Sequence, residues 1–362
     1  MQSCVGRRPV DDRAATRLGK PDKSRGGQAA VAAVFWLAGV ALLAAPFLRD
    51  PATSDPEGDD PTRTSELDRP FAEELARVEA ELGIPLADAL ASEVAARFGE
   101  DAEDRLLADL LDHARLEAGK RGYDRHCVGC HGEIGDGAGP AARHLEPRPR
   151  NFRKGVFKFT STESGKPPLR SDIFQTITRG LSGSSMPPFH LVSQEIRYDI
   201  VEYVRSLAIQ GRFEELFLEL AADDEELPDA DEVAEIVYDA WAPESLRVVF
   251  PPISEIAFDD DSVARGREVY LASGGANCSA CHGDGGEGDG PSAREFADHW
   301  GYPIVPRDLT SGVFRAGATS ADLYRSIATG VNGTPMPSFE GSIPPEDIWA
   351  MVHFIQTLGG AR

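Results

Sequence analysis

Sulfur is scarce in this chain: 362 residues hold five cysteines and four methionines. Apart from Cys4, every cysteine sits in one of two short clusters. Positive charge is short as well. The 37 Lys and Arg are outnumbered by 60 Asp and Glu, for a formal charge of −23. That balance excludes a nucleic-acid partner, which needs a basic surface to neutralise phosphates. The glycine-rich stretch 132–139 lacks the Lys-Ser/Thr ending and the leading strand of a phosphate loop. Its acidic residues also miss the spacing of a calcium loop. Charge of either sign is missing across 26–48.

The two cysteine clusters read Cys127-Val128-Gly129-Cys130-His131 and Cys278-Ser279-Ala280-Cys281-His282. A lone C-x-x-C fits a redox dithiol or half a zinc site. With His following both times, the pattern is that of covalent c-type haem attachment. Two intervening residues place both thiols over one porphyrin edge, and the adjacent imidazole falls under the iron as an axial ligand. The expected cofactors are therefore two covalently bound haem c groups.

The methionines supply the opposite ligand. Met186 lies in Ser-Ser-Met-Pro-Pro-Phe and Met336 in Thr-Pro-Met-Pro-Ser-Phe. Their separations from His131 and His282 differ by a single residue. Turns rich in Ser, Pro and Gly are poor places for a core-filling thioether. The following proline stiffens the loop, which suits a sulfur pressed onto iron.

Around these ligands the chain repeats itself, as two copies of one structural unit would. Gly119 and Tyr123 are matched by Gly266 and Tyr270, and Pro140 by Pro291. Pro149-Arg150-Asn151-Phe152 is echoed by Pro306-Arg307-Asp308-Leu309, and Gly155-Val156-Phe157 by Gly312-Val313-Phe314. Helical patterns over 172–180 and 196–207 recur before Met336 and over 347–358. The copies differ by extra residues at 161–168 in the first and around 298–304 in the second, where loops tolerate change.

The rest of the chain divides by texture. Residues 1–25 form a basic cytoplasmic tail. At about 1.5 Å per residue, the uncharged run 26–48 spans roughly a bilayer's hydrocarbon core. Basic residues before it and acidic ones after place the N-terminus in the cytoplasm and the remainder outside. A cleaved signal with Leu43-Ala44-Ala45 as its site is the alternative, and Pro46 would hinder it. Residues 49–64 read as a linker, and 65–115 as a spacer of amphipathic helices packing on the first repeat. Residues 211–261 read as an acidic helical connector between repeats 116–210 and 262–362. Outside the tail the acidic excess either attracts basic partner surfaces or solvates the protein.

Taken with D-G-x-G-P and E-G-D-G-P after the two C-x-x-C-H-G runs, 116–210 and 262–360 resemble class I c-type cytochrome domains. The resemblance implies an all-α fold of two tandem domains wrapped on haem, His/Met-ligated iron and one-electron transfer. It makes Cys127, Cys130, Cys278 and Cys281 the attachment residues and His131, Met186, His282 and Met336 the iron ligands. Tyr123, Tyr270, Pro140 and Pro291 then line the cofactor, and Arg150 and Arg307 hold propionates.

The function expected is a single-pass, membrane-anchored dihaem carrier with extracytoplasmic haem domains. Its partners are redox proteins, including a membrane respiratory complex. Two alternatives stand beside it. A peroxidase-like dihaem enzyme would leave one iron open or cap it with His126, His144, His190, His299 or His353. A c-type subunit of a terminal oxidase would combine one span with two such domains.

Overall fold

The computed structural model describes residues 71–99, 105–243, 246–273 and 275–360. All of them belong to one compact unit, 54–362. The basic tail, the uncharged run 26–48 and the linker lie outside the described residues. Among the described residues no helix is long and apolar enough to cross a membrane. Those residues are helical, and their only extended pairings are isolated bridges at Thr162–Val248 and Ala297–Pro303.

In chain order the helices are α1 Phe71–Leu82, α2 Leu86–Phe98, α3 Arg105–Ala108, α4 His113–His126 and α5 Val128–His131. Then follow α6 Arg170–Arg179, α7 Gln194–Asp224, α8 Ala230–Trp241, α9 Asp260–Leu271, α10 Ser279–His282, α11 Ser320–Thr329 and α12 Pro345–Leu358.

The closing helix of the first repeat does not stop near Leu207. It continues without a break as the 31-residue α7, capped by the Ser193 side chain accepting from the Ile196 N–H. Gly211, where a break was expected, is instead a point of close approach. A Cβ there would lie 2.3 Å from the Arg153 carbonyl oxygen. The half of α7 beyond it carries Phe213, Phe217 and Ala221 into a core with Val78, Leu86 and Leu90 of α1 and α2 and Val233, Val237 and Trp241 of α8. Spacer and connector, remote in sequence, thus build one small helical layer. Buried arginines link its parts: Arg97 of α2 meets the exposed Asp231 of α8 at 2.5 Å. Arg205 lies over the Trp241 ring at 5.3 Å and donates to the Leu110 carbonyl at 3.2 Å.

Each repeat is built on the crossing of its first and last helices. Gly119 of α4 sits where a Cβ would be 2.1 Å from the Asp199 carbonyl oxygen on α7. Gly266 of α9 meets the Ala350 carbonyl of α12 at 1.9 Å in the same sense. Glycine at this spot lets the two backbones touch, which no side chain would permit. Tyr123 and Tyr270, one turn on, are both fully buried in the cores that result.

The extra residues of each repeat lie against the other repeat. Gly165 N–H donates to Asn332 Oδ1 at 2.9 Å, and Asn332 Nδ2 donates to Thr160 Oγ1 at 3.3 Å. Lys158 pairs with Asp298 at 3.4 Å, and the Arg150 guanidinium lies 3.6 Å over the Trp300 ring. Arg247, in the segment between repeats, ties Glu163 of the first to Glu340 of the second.

Candidate functional site

Helix α4 ends where Cys127 N–H bonds the Tyr123 carbonyl at 2.7 Å, and the single turn α5 carries Cys130 and His131. In the second repeat α9 ends at Leu271, Cys278 N–H still bonds the Tyr270 carbonyl at 3.1 Å, and the single turn α10 carries Cys281 and His282. The tyrosine hydroxyls close each turn from behind: Tyr123 donates to the Gly132 carbonyl at 2.7 Å, and Tyr270 to the Gly283 carbonyl at 2.8 Å. Those tyrosines therefore position the turn through backbone bonds. Glycines 132 and 283 follow the histidines with φ of 80° and 79°, which favours glycine.

The imidazoles are fixed by a bond that sequence reasoning missed. His131 Nδ1 lies 3.0 Å from the Arg150 carbonyl oxygen and His282 Nδ1 lies 2.9 Å from that of Arg307. A carbonyl only accepts, so Nδ1 carries the proton and Nε2 keeps its lone pair for a metal. Burial also holds both histidines below the usual imidazole range, which favours the neutral, ligating form. The signal for this bond is the repeated Pro-Arg pair, whose carbonyl oxygen serves the histidine in both units.

The loop past each histidine folds back over the turn. Gly139 N–H bonds the Cys130 carbonyl at 3.2 Å, and Gly290 N–H bonds that of Cys281 at 3.1 Å. A Cβ at Gly139 would be 2.6 Å from the Cys130 carbonyl carbon, and one at Gly290 2.5 Å from the Ala280 oxygen. Pro140 and Pro291 sit on the outside of this fold, exposed.

The methionine loops are built twice to one plan. Helices α6 and α11 end at Gly180 and Gly330, with φ of 66° and 69°. Leu181 N–H and Val331 N–H each bond the carbonyl of their methionine at 3.1 Å. Ser184 and Thr334 cap the bend by donating to Leu181 and Val331 carbonyls at 2.7 and 2.8 Å. Met186 is half-buried against the core holding Tyr123 and Phe152, and Met336 is half-buried in its own loop.

The four described thiols are free and half-buried. Burial pushes Cys127 up to about 12 and Cys278 up to about 11, away from the thiolate of a redox dithiol. Among the described residues no three His, Cys, Asp or Glu side chains converge on one point. A zinc reading of C-x-x-C therefore lacks its remaining donors. Of the other histidines, His353 is fully buried and engaged at both nitrogens, with Ser262 Oγ at 2.9 Å and Glu255 Oε1 at 3.4 Å. His299 stands beside Trp300, His126 faces Phe189 edge-on, and His144 accepts from Arg143.

The arginine side chains go to the contact between repeats. Arg150 is stacked on Trp300, while Arg307 donates from Nε to the Val313 carbonyl at 2.7 Å. Its guanidinium lies against Gly183 in the methionine loop of the first repeat, within about 3.0 Å of where a Cβ would be.

A pair of thiols, an imidazole held by Nδ1 with Nε2 spare, a rigid thioether loop and cations nearby fit haem c as a cofactor. The family model described as cytochrome c oxidase, cbb3-type, subunit III matches residues 114–204 and again 261–355. Similar curated proteins include the cbb3-type cytochrome c oxidase subunit FixP of Bradyrhizobium diazoefficiens, 33% identical over 99 residues. That match covers 27% of this chain and 28% of the relative. FixP of Bradyrhizobium sp. strain ORS 278 is 35% identical over 101 residues, which cover 26% of this chain and 30% of the relative. The chain thus aligns with under a third of each relative's length. Among solved structures, a chain of the Kuenenia stuttgartiensis reducing HAO-like protein complex is 33% identical, with a TM-score of 0.54. That similarity covers 67% of this chain and 96% of the other. With the repeated site and both matched segments accounted for, this chain belongs to the cbb3-type cytochrome c oxidase subunit III family, as a class I c-type cytochrome of dihaem form.

Proposed function

We propose that the chain is a membrane-tethered electron relay carrying two covalently attached haem c groups on the extracytoplasmic side. Cys127 and Cys130 hold the first group and Cys278 and Cys281 the second. His131 with Met186, and His282 with Met336, are the axial pairs. Each bound group supplies one ferrous/ferric couple, and thioether opposite imidazole favours the reduced form relative to two nitrogens. The protein's part is to keep that couple from reorganising. The Arg150 and Arg307 carbonyls stop the imidazoles from turning, and the backbone bonds of the Met loops hold the sulfurs.

The observation that carries this reading is the duplication of the His Nδ1–carbonyl bond together with the Met loop, down to matching hydrogen bonds. A peroxidase-like enzyme needs one of its sites open or differently capped, and the two copies are built alike. The FixP relatives are named as oxidase subunits, which favours a partner of that kind: a terminal oxidase in the cytoplasmic membrane.

The test is an intact mass with a reduced-minus-oxidised spectrum. Two haems per chain and c-type bands are expected, with each Met→His substitution at 186 or 336 lowering one midpoint potential. One haem, or rapid turnover of peroxide by the reduced protein, would reject the relay. Membrane purification should bring down a haem–copper oxidase core. A companion of the HAO-like type would reassign the partner and leave the relay intact.

A further inference from the structure

The repeat places a second matched pair of cations that the haem reading has not used. Lys158 follows Gly155-Val156-Phe157 as Arg315 follows Gly312-Val313-Phe314. We infer that Arg150 and Lys158 of the first repeat and Arg307 and Arg315 of the second form one carboxylate-binding seam, shared by both units, that takes the propionates of both haems. This rests on the dihaem reading above.

The four cations come from two polypeptide stretches far apart in sequence and meet across the seam. Lys158 lies within electrostatic reach of both Arg150 and Arg315, and Arg315 within reach of Arg307. Each is held by the opposite unit. Arg150 rests on Trp300 and Lys158 on Asp298, both in the extra residues of the second repeat. Arg307 presses on Gly183, and Arg315 Nη2 reaches the Gly183 carbonyl at 3.5 Å, both in the Met loop of the first.

Charge is unbalanced there. Asp298, 8% exposed, is the carboxylate that meets Lys158, and exposed Glu146 acts on Arg315 from the rim. Arg315 Nε is buried with no hydrogen-bond partner. Burial, and then the neighbouring arginines, hold Lys158 down to about 8. Buried cations are costly unless an anion joins them. In a chain of charge −23, a concentration of unmatched positive charge marks a place where an anion is expected. The paired, two-sided arrangement calls for planar carboxylates arriving from both units, which arginine receives in bidentate fashion.

The test uses full-length holoprotein and the midpoint potential of each haem, assigned with Cys→Ala pairs that remove one haem at a time. Arg315→Gln should lower both midpoints, because removing a cation near a propionate favours ferric iron. The expected size is roughly a three- to tenfold fall in the ferrous-to-ferric ratio at fixed potential. Lys158→Gln should do the same, and Lys158→Arg should restore both. The decisive measurement is Arg315→Gln in protein that keeps only the first haem (Cys278→Ala with Cys281→Ala). The remaining midpoint must still fall. If it stays put, or if each substitution moves only the haem of its own unit in the two-haem protein, the shared seam is wrong. Two haems with unmoved midpoints overturn the seam alone; wild-type protein lacking two haems overturns the dihaem reading with it.

Discussion

The two repeats share their backbone bonds and differ in what surrounds them. In both, the glycine six after the histidine donates its N–H back to the histidine carbonyl: Gly137 to His131 at 2.9 Å and Gly288 to His282 at 2.8 Å. Phe152 N–H bonds Gly135, and Leu309 N–H bonds Gly286, each at 2.7 Å. Outside this frame the copies diverge. The first is backed by the helical layer of α1, α2, α8 and the far half of α7. The second instead covers α12 with the segment before α9, where Trp349 Nε1 donates to the Ile253 carbonyl at 3.3 Å and Ile256 packs on the core. Backbone geometry is what a haem site demands twice; side-chain packing is free to follow each unit's neighbours.

The largest way to probe this equivalence is to remove one site at a time. Cys127→Ala with Cys130→Ala, and separately Cys278→Ala with Cys281→Ala, should each halve the haem content by mass and by c-type absorbance. Unequal loss, with one pair abolishing both haems, would show that the units mature dependently.

The next effect should be one-sided. Trp241 is 2% exposed at the centre of the layer that only the first unit has. Trp241→Ala should cost about 3–5 kcal/mol in chemical denaturation followed by far-UV circular dichroism. The reduced band of the second haem should be untouched. Gly211→Ala acts on the same side through backbone contact with Arg153 and should cost about 1–3 kcal/mol. An equal loss on mutating Gly119 or Gly266 would show that all three crossings are of one kind.

These residues also mark where sequence reasoning ran out. The C-x-x-C-H turns, the paired methionine loops and the repeat were legible because each rests on fixed local spacing. The joining of spacer and connector was not, since Leu86 and Phe217 touch only after α7 carries the chain past Gly211. A glycine at a composition change looks like a boundary, and its true role depends on Arg153 approaching from elsewhere. The extra residues 161–168 and 298–304 read as tolerated insertions because they align with nothing in the other copy. Each is matched instead by the opposite unit: Gly165 by Asn332, and Trp300 by Arg150. Repeat comparison sees what two units share and is blind to what they do to each other.

Tyr123→Phe and Tyr270→Phe sharpen the comparison further. Each removes one buried hydroxyl bond to the glycine after its histidine, and the two should cost the same, about 1 kcal/mol, in the thermal unfolding of the holoprotein. A marked inequality would mean that the neighbouring ring, Tyr203 beside the first tyrosine or Phe354 beside the second, shares the load.

The smallest difference lies closest to His131. Phe152 stacks on His131 with ring centroids 4.4 Å apart and planes within 19°, and Phe157 stacks behind it. Leu309 occupies the matching place in the second unit, buried but without a π face. Since both imidazoles already hold a carbonyl through Nδ1, the ring adds rigidity and polarisability, and leaves hydrogen bonding unchanged. Phe152→Leu converts the first site to the pattern of the second. It should cost about 1 kcal/mol, within the range of a single aromatic pair, and shift only the first midpoint potential. Should both midpoints stay where they were, the stacked ring is a packing choice of the first core, and the two irons differ for reasons carried by the seam.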